Sequence, residues 1–188
     1  MNLENKIRKL EKELQGLKKD LKKQKKVKLD ESDFQTNVIS DYMIKLVYPR
    51  VYEKFLKGET IEIGFPKNRG KLLTETKAGQ NVFLYVASPV KKIIGLGVIT
   101  NGFIETGTER WPNGIEIKMK IGPKRGLTFN DVNLPIRPRP GDTIFSISKS
   151  KAYEIIAALN SQEDLSVDNV RFLADEYKDG EWGFIDIL

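Results

Sequence analysis

The sequence predicts an α+β protein in two parts: an N-terminal α-helical coiled coil over residues 1–29, and a small β-barrel with short flanking helices over residues 30–188. Three observations predict it. Apolar residues recur every three or four positions near the start, as on the seam of a helix pair. From about Asp30 the pattern changes to short alternating segments punctuated by Gly and Pro. Few of those later segments carry helical periodicity, which fits a small barrel or curled sheet rather than a bundle.

The seam residues are Leu3, Ile7, Leu10, Leu14, Leu17 and Leu21, spaced 4, 3, 4, 3, 4. Ile7, Leu14 and Leu21 take the a positions of a heptad and Leu3, Leu10 and Leu17 the d positions. In a parallel pair the g-to-e contacts are Lys6–Glu11, Glu13–Lys18 and Asp20–Lys25, all of opposite sign. An antiparallel pair would set Glu13 against Glu13. A homo-oligomer, with a parallel dimer favoured, is the expectation; a helix folded back on the following domain is the alternative. After Leu21 come Lys22, Lys23, Lys25, Lys26 and Lys28, either a solvated linker or an arm for phosphate.

The body opens with a strand from Asn37 to Val47, ended by Pro49. Val51, Phe55 and Leu56 suit a short helix stopped at Gly58. Thr60–Phe65 alternates as a strand, and a loop runs on through Gly70 to Gly79. Val82–Ala87 is the clearest strand; Ser88–Lys92 turns the chain and Ile93–Phe103 returns it. Gly114–Ile121 alternates without a break. Thr143–Ser148 is a further strand, Ser150–Leu159 and Val167–Tyr177 are helices, and Trp182–Ile187 is a last strand.

Composition narrows the chemistry. The 188 residues contain neither Cys nor His, which removes disulfides, thiol and imidazole catalysis, and makes a zinc site unlooked-for. No metal or cofactor is expected. Apolar residues make up 39%, enough for a core, and no apolar run is long enough to cross a bilayer, so no membrane partner is expected. With no apolar leader at the N-terminus, a cytoplasmic protein is the expectation. The net charge of +6 is unevenly held: residues 1–29 carry 11 basic and 4 acidic side chains, and the rest carry 21 and 22. The basic character belongs to the N-terminal segment.

Two stretches, "YPRVYEKFLKGETIEIGFP" and "AGQNVFLYVASPVKKIIGLGVITNGF", resemble the ASCH family of PUA-like domains. "ERWPNGIEIKMKIG" and "PGDTIFSISKSKAYEII" are similar to the related EVE- and YTH-type domains, and the likeness spans roughly residues 40–160. The resemblance implies a PUA-like pseudo-barrel with a cleft for RNA, DNA or a single base, modified or not. It also implies an enzymatic alternative, since some ASCH members use a Lys and a Thr of a Gly-Glu-Lys-Thr segment with a nearby Glu. Here the segment is Gly58-Glu59-Thr60-Ile61-Glu62: Thr60 and Glu62 can be carried over, the Lys cannot, and Gly64 stands where the family has Arg.

The candidate nucleic-acid residues follow from residue type. Trp111, beside Arg110 in a turn-like context, can stack a base, a role the resemblance also implies; capping the barrel is its alternative. Tyr85 and Ser88 end the strongest strand, where such a fold places its cleft. Lys118 and Lys120 share a strand face, and Lys124, Arg125, Arg137 and Arg139 lie in loops, where they either track phosphates or form ordinary solvated surface. Three functions stay open: an oligomeric nucleic-acid-binding module, a nuclease or modified-nucleoside hydrolase using Thr60 and Glu62, and a coiled-coil scaffold whose domain binds protein or a small ligand.

Overall fold

The computed structural model describes residues 34–139 and 141–178. The expected coiled coil with its seam from Leu3 to Leu21, and the expected strand Trp182–Ile187, lie outside the described residues.

Seven strands form one mixed sheet: β1 (Phe34–Thr36), β2 (Tyr42–Val47), β3 (Thr60–Phe65), β4 (Asn81–Val86), β5 (Lys92–Glu105), β6 (Asn113–Ile121) and β7 (Ile144–Ile147). Their order is β1-β7-β2-β4-β5-β6-β3. β2 and β4 run parallel, Tyr42 against Asn81 through Val47 against Val86, and the other pairs are antiparallel. Among the described residues four helices accompany the sheet: α1 (Val51–Phe55), α2 (Gly70–Leu73), α3 (Lys149–Asn160) and α4 (Val167–Glu176). Among the described residues, no helix is long and apolar enough to cross a membrane.

The central strands explain the packing. In β4 every residue from Val82 to Val86 is buried, so both faces need cover. On the inner face Val82, Leu84 and Val86 join Met43, Val47, Ile61, Ile63, Phe65, Ile115 and Ile117 in one cluster with Val51 and Tyr52 of α1, Leu73 of α2 and Ala174 of α4. On the outer face Phe83 and Tyr85 join Ile44, Phe145, Leu127, Phe129, Leu134 and the buried side of α3, Ala152, Ile155 and Leu159. Both longer helices start at a serine whose side chain caps the first turn: Ser148 accepts from the Lys151 N–H and Ser166 from the Asn169 N–H.

β5 bends the sheet. Its pairing with β6 shifts register at Leu96/Gly97, Ile99/Asn101 and Asn101/Ile104, and each shift adds local twist. A side chain at Gly95 would sit 2.5 Å from the Ile121 carbonyl oxygen, so only glycine lets β6 cross there. The curl brings β2 and β3, separated by three strands in sheet order, face to face: Lys45 of β2 lies over the Phe65 ring of β3.

Two expectations need revision. The strand expected from Asn37 starts only at Tyr42, because Asn37 adopts φ +55° and the Ser40 hydroxyl donates to the Tyr42 carbonyl; a separate short strand, β1, ends just before it at Thr36. The segment after β3 is not a plain loop: a 3₁₀ turn at Lys67–Arg69 leads directly into α2, whose Leu73 is fully buried in the inner cluster.

Leu84, buried between β2 and β5 on the inner face, is a sensitive probe of this core. Leu84→Ala is expected to lower unfolding free energy by about 2–5 kcal/mol. A denaturant titration showing a loss below 1 kcal/mol would contradict the packing described.

Candidate nucleic-acid interface

The turn joining β5 to β6 is built around one carbonyl. The Thr106 hydroxyl donates to the Trp111 carbonyl oxygen, the Thr108 hydroxyl does so at 2.9 Å, and the Thr106 N–H bonds the Pro112 carbonyl at 3.0 Å. These bonds fix the backbone of Trp111 while its indole remains half-buried. The ring leans on Tyr48, with centroids 5.5 Å apart and planes at 47°, and the Arg110 guanidinium lies 5.4 Å from the indole centroid.

Gly64 makes that placement possible. A Cβ there would lie 2.7 Å from the Trp111 Cβ, so any other residue on β3 would displace the indole. The position where the ASCH pattern has Arg is thus used here as a seat for Trp111.

On the other face of β3, over the neighbouring Phe65, lies Lys45 of β2. Its ammonium donates to the Leu46 carbonyl at 2.8 Å and sits 4.1 Å from the Phe65 ring centroid. Only 4% of the residue is exposed. Burial, reinforced by the like charge of Arg69, lowers its pKa to about 7. Arg69, in the turn after β3, donates from Nη2 to the carbonyl of Gly141, in the loop before β7, at 2.6 Å.

The other candidates separate from this site. Tyr85 is buried on the outer face, stacked on Phe129 at 4.1 Å, and burial raises its pKa. Ser88 is exposed in the β4–β5 turn. Thr60 and Glu62 are exposed on edge strand β3, alternating with buried Ile61 and Ile63; the Lys54 ammonium donates to the Glu62 carbonyl rather than reaching toward the inner face.

Several of the cations have partners. Lys118 pairs with Glu59 at 3.3 Å and Arg125 with Glu163 at 3.1 Å. Lys124, 9% exposed, pairs with Asp164 at 2.9 Å and donates to the Gln162 carbonyl at 3.1 Å, clamping the loop between α3 and α4. Lys120, Arg137 and Arg139 are exposed and form no ion pair among the described residues. The structure therefore sets Arg110 and Trp111 against Tyr48 on one face of β3, and Lys45 over Phe65 on its other face with Arg69 four residues further along; sequence reasoning passed over Tyr48, Lys45 and Arg69. The available signal for Lys45 was a lone charge inside an apolar strand, Met43-Ile44-Lys45-Leu46-Val47. A shallow depression of about 560 Å³ at the N-terminal ends of β2 and β4, lined by Asp41, Glu75, Lys77 and Gln80, lies apart and carries no aromatic side chain.

The Lys45 geometry predicts a pH signature. Its folded pKa of about 7 lies below the ordinary 10.5, so between those values the unfolded chain binds more protons and stability rises with pH. The rise is up to about 1.4 kcal/mol per pH unit, and the whole penalty is present below pH 7. Lys45→Met is expected to be more stable than the parent at pH 6, with the advantage shrinking as pH rises toward 10. Denaturant titrations of both proteins across that range test this; a difference independent of pH would refute it.

No family model matches this chain, and no curated protein does. Several solved structures are similar to it. Human THYN1, in complex with 5-methylcytosine-containing DNA, is 14% identical, with 65% of this chain and 98% of that one aligned at a TM-score of 0.47. The YTH domain of Zygosaccharomyces rouxii MRB1, in complex with N6-methyladenosine RNA, is 10% identical over 69% and 92% at 0.44. An ASCH protein from Zymomonas mobilis is 10% identical over 67% and 99% at 0.43. These are distant likenesses, and the side chains at the seam carry the functional reading.

Proposed function

We propose that this chain is a nucleic-acid-binding module, taking RNA or DNA at the seam of the curled sheet and stacking a base, modified or not, on Trp111. The observation that supports it is the construction around the indole: a half-buried ring, backed by Tyr48, flanked by a cation, seated on a glycine and held at its backbone by two threonine hydroxyls. Core tryptophans need no such seat, whereas a preorganised aromatic beside arginine is what single-strand recognition uses. Residues 1–29 would add a parallel coiled-coil dimer and a lysine-rich arm, doubling the sites and contributing salt-sensitive affinity.

Fluorescence anisotropy with labelled single-stranded RNA and DNA, unmodified and base-modified, tests the assignment. Trp111→Ala in the full chain is expected to weaken binding by about 1–3 kcal/mol, or roughly 5- to 150-fold, at constant salt. Trp111→Phe should recover much of the loss. Equal affinity for the parent and Trp111→Ala would mean that the indole is only a cap on the fold.

A further inference from the structure

Two cations lie close to Phe65, and among the described residues no acidic side chain pairs with either. Lys45 projects from β2 into the inner cluster, where its ammonium meets one carbonyl and the face of Phe65. Arg69, four residues beyond Phe65, uses Nη2 on Gly141, while its Nε is buried and meets no acceptor. Neither forms an ion pair among the described residues, and the charge that acts on Lys45 is the like charge of Arg69.

Such an arrangement costs stability. A buried ammonium with one acceptor and a cationic neighbour is less favourable than an apolar side chain of similar volume. Costly buried charges concentrate where a ligand of opposite charge repays them. The two groups are also complementary in kind: guanidinium offers a planar fork of donors, and ammonium a compact charge that can turn from the Leu46 carbonyl. Phe65 covers the Lys45 ammonium, and the low exposure there strengthens any charge interaction it makes.

We propose that Lys45 and Arg69 form an oxyanion subsite within the seam that takes a phosphate group of the strand whose base stacks on Trp111. The strand half of this assignment rests on the reading of Trp111; the oxyanion half does not. The two halves sit on consecutive residues of β3: Gly64 seats the indole on one face and Phe65 underlies Lys45 on the other. A phosphate there would be reached from the Arg69 side, where the seam is crossed by its bond to Gly141. Bound anion favours the protonated amine, so occupancy and protonation of Lys45 are linked.

The test follows the Lys45 side-chain Cε resonance in full-length protein carrying 13C-lysine, assigned with Lys45→Met. The probes are sulfate, whose charge is constant between pH 6 and pH 8, and a short single-stranded oligonucleotide. Sulfate is expected to shift the Lys45 signal saturably at pH 6 and to bind about tenfold more weakly at pH 8, as the protonated fraction falls across a pKa near 7. Arg69→Gln, at a half-exposed position, should abolish the shift in a folded protein. The oligonucleotide should move the same signal. An unmoved signal at pH 6, or equal shifts in the parent and Arg69→Gln, overturns the subsite. If sulfate moves the signal and the oligonucleotide does not, the oxyanion site is upheld and its assignment to a strand is overturned. If Trp111→Ala weakens oligonucleotide binding while Lys45 responds to neither probe, base stacking stands and the subsite falls.

Discussion

β2 and β4 run parallel at the centre of the sheet, and neither face of that pair can be left in water. Met43, Val47, Val82, Leu84 and Val86 point one way, and Ile44, Leu46, Phe83 and Tyr85 the other. Covering both faces fixes most of the remaining architecture. The outer face is met by α3 and by the stretch carrying Leu127, Phe129, Val132 and Leu134. The inner face cannot be covered by helices alone, so the sheet turns on itself and β3 brings Ile61, Ile63 and Phe65 over from the far edge. The curl is thus a burial requirement, met through the register shifts of β5 and the absence of a side chain at Gly95.

That closure is incomplete, and the candidate site lies where it ends. β3 and β1 are the edges of the sheet, and among the described residues no strand pairing joins them. The seam is instead crossed by a side chain, Arg69 to the Gly141 carbonyl. A seam held by a guanidinium can exchange one acceptor for another without unpairing a strand. The inner cluster is otherwise apolar near this seam, so placing Lys45 there trades stability for charge at a point where polar groups can be reached from outside.

How much of this the sequence disclosed depends on whether local pattern or distant contact decides a position. β4, β6, α3 and α4 were legible because an unbroken apolar run, alternation and helical spacing are local properties. The break at Asn37 was not, because a single left-handed asparagine leaves the apolar spacing on either side intact. Arg110 and Trp111 could be singled out from composition and turn context. Tyr48 could not, since its meeting with Trp111 joins the end of β2 to the turn before β6 through tertiary curl alone. Lys45 was hidden for the same reason. A lysine in an apolar strand reads as one solvated position until both faces of that strand are known to be covered.

The placement of the charges decides which part of the chain can supply affinity and which can supply selectivity. Lys118, Lys124 and Arg125 are engaged with Glu59, Asp164 and Glu163, so the domain presents less free positive charge than its residue count suggests. Under the proposed reading, long-range attraction for a polyanion falls mainly to the basic residues before residue 30, a kind of attraction that salt screens and that is indifferent to base identity. The seam is the reverse case. Its charges are few, partly dehydrated and fixed against aromatic rings, so they act only on a group that enters between them.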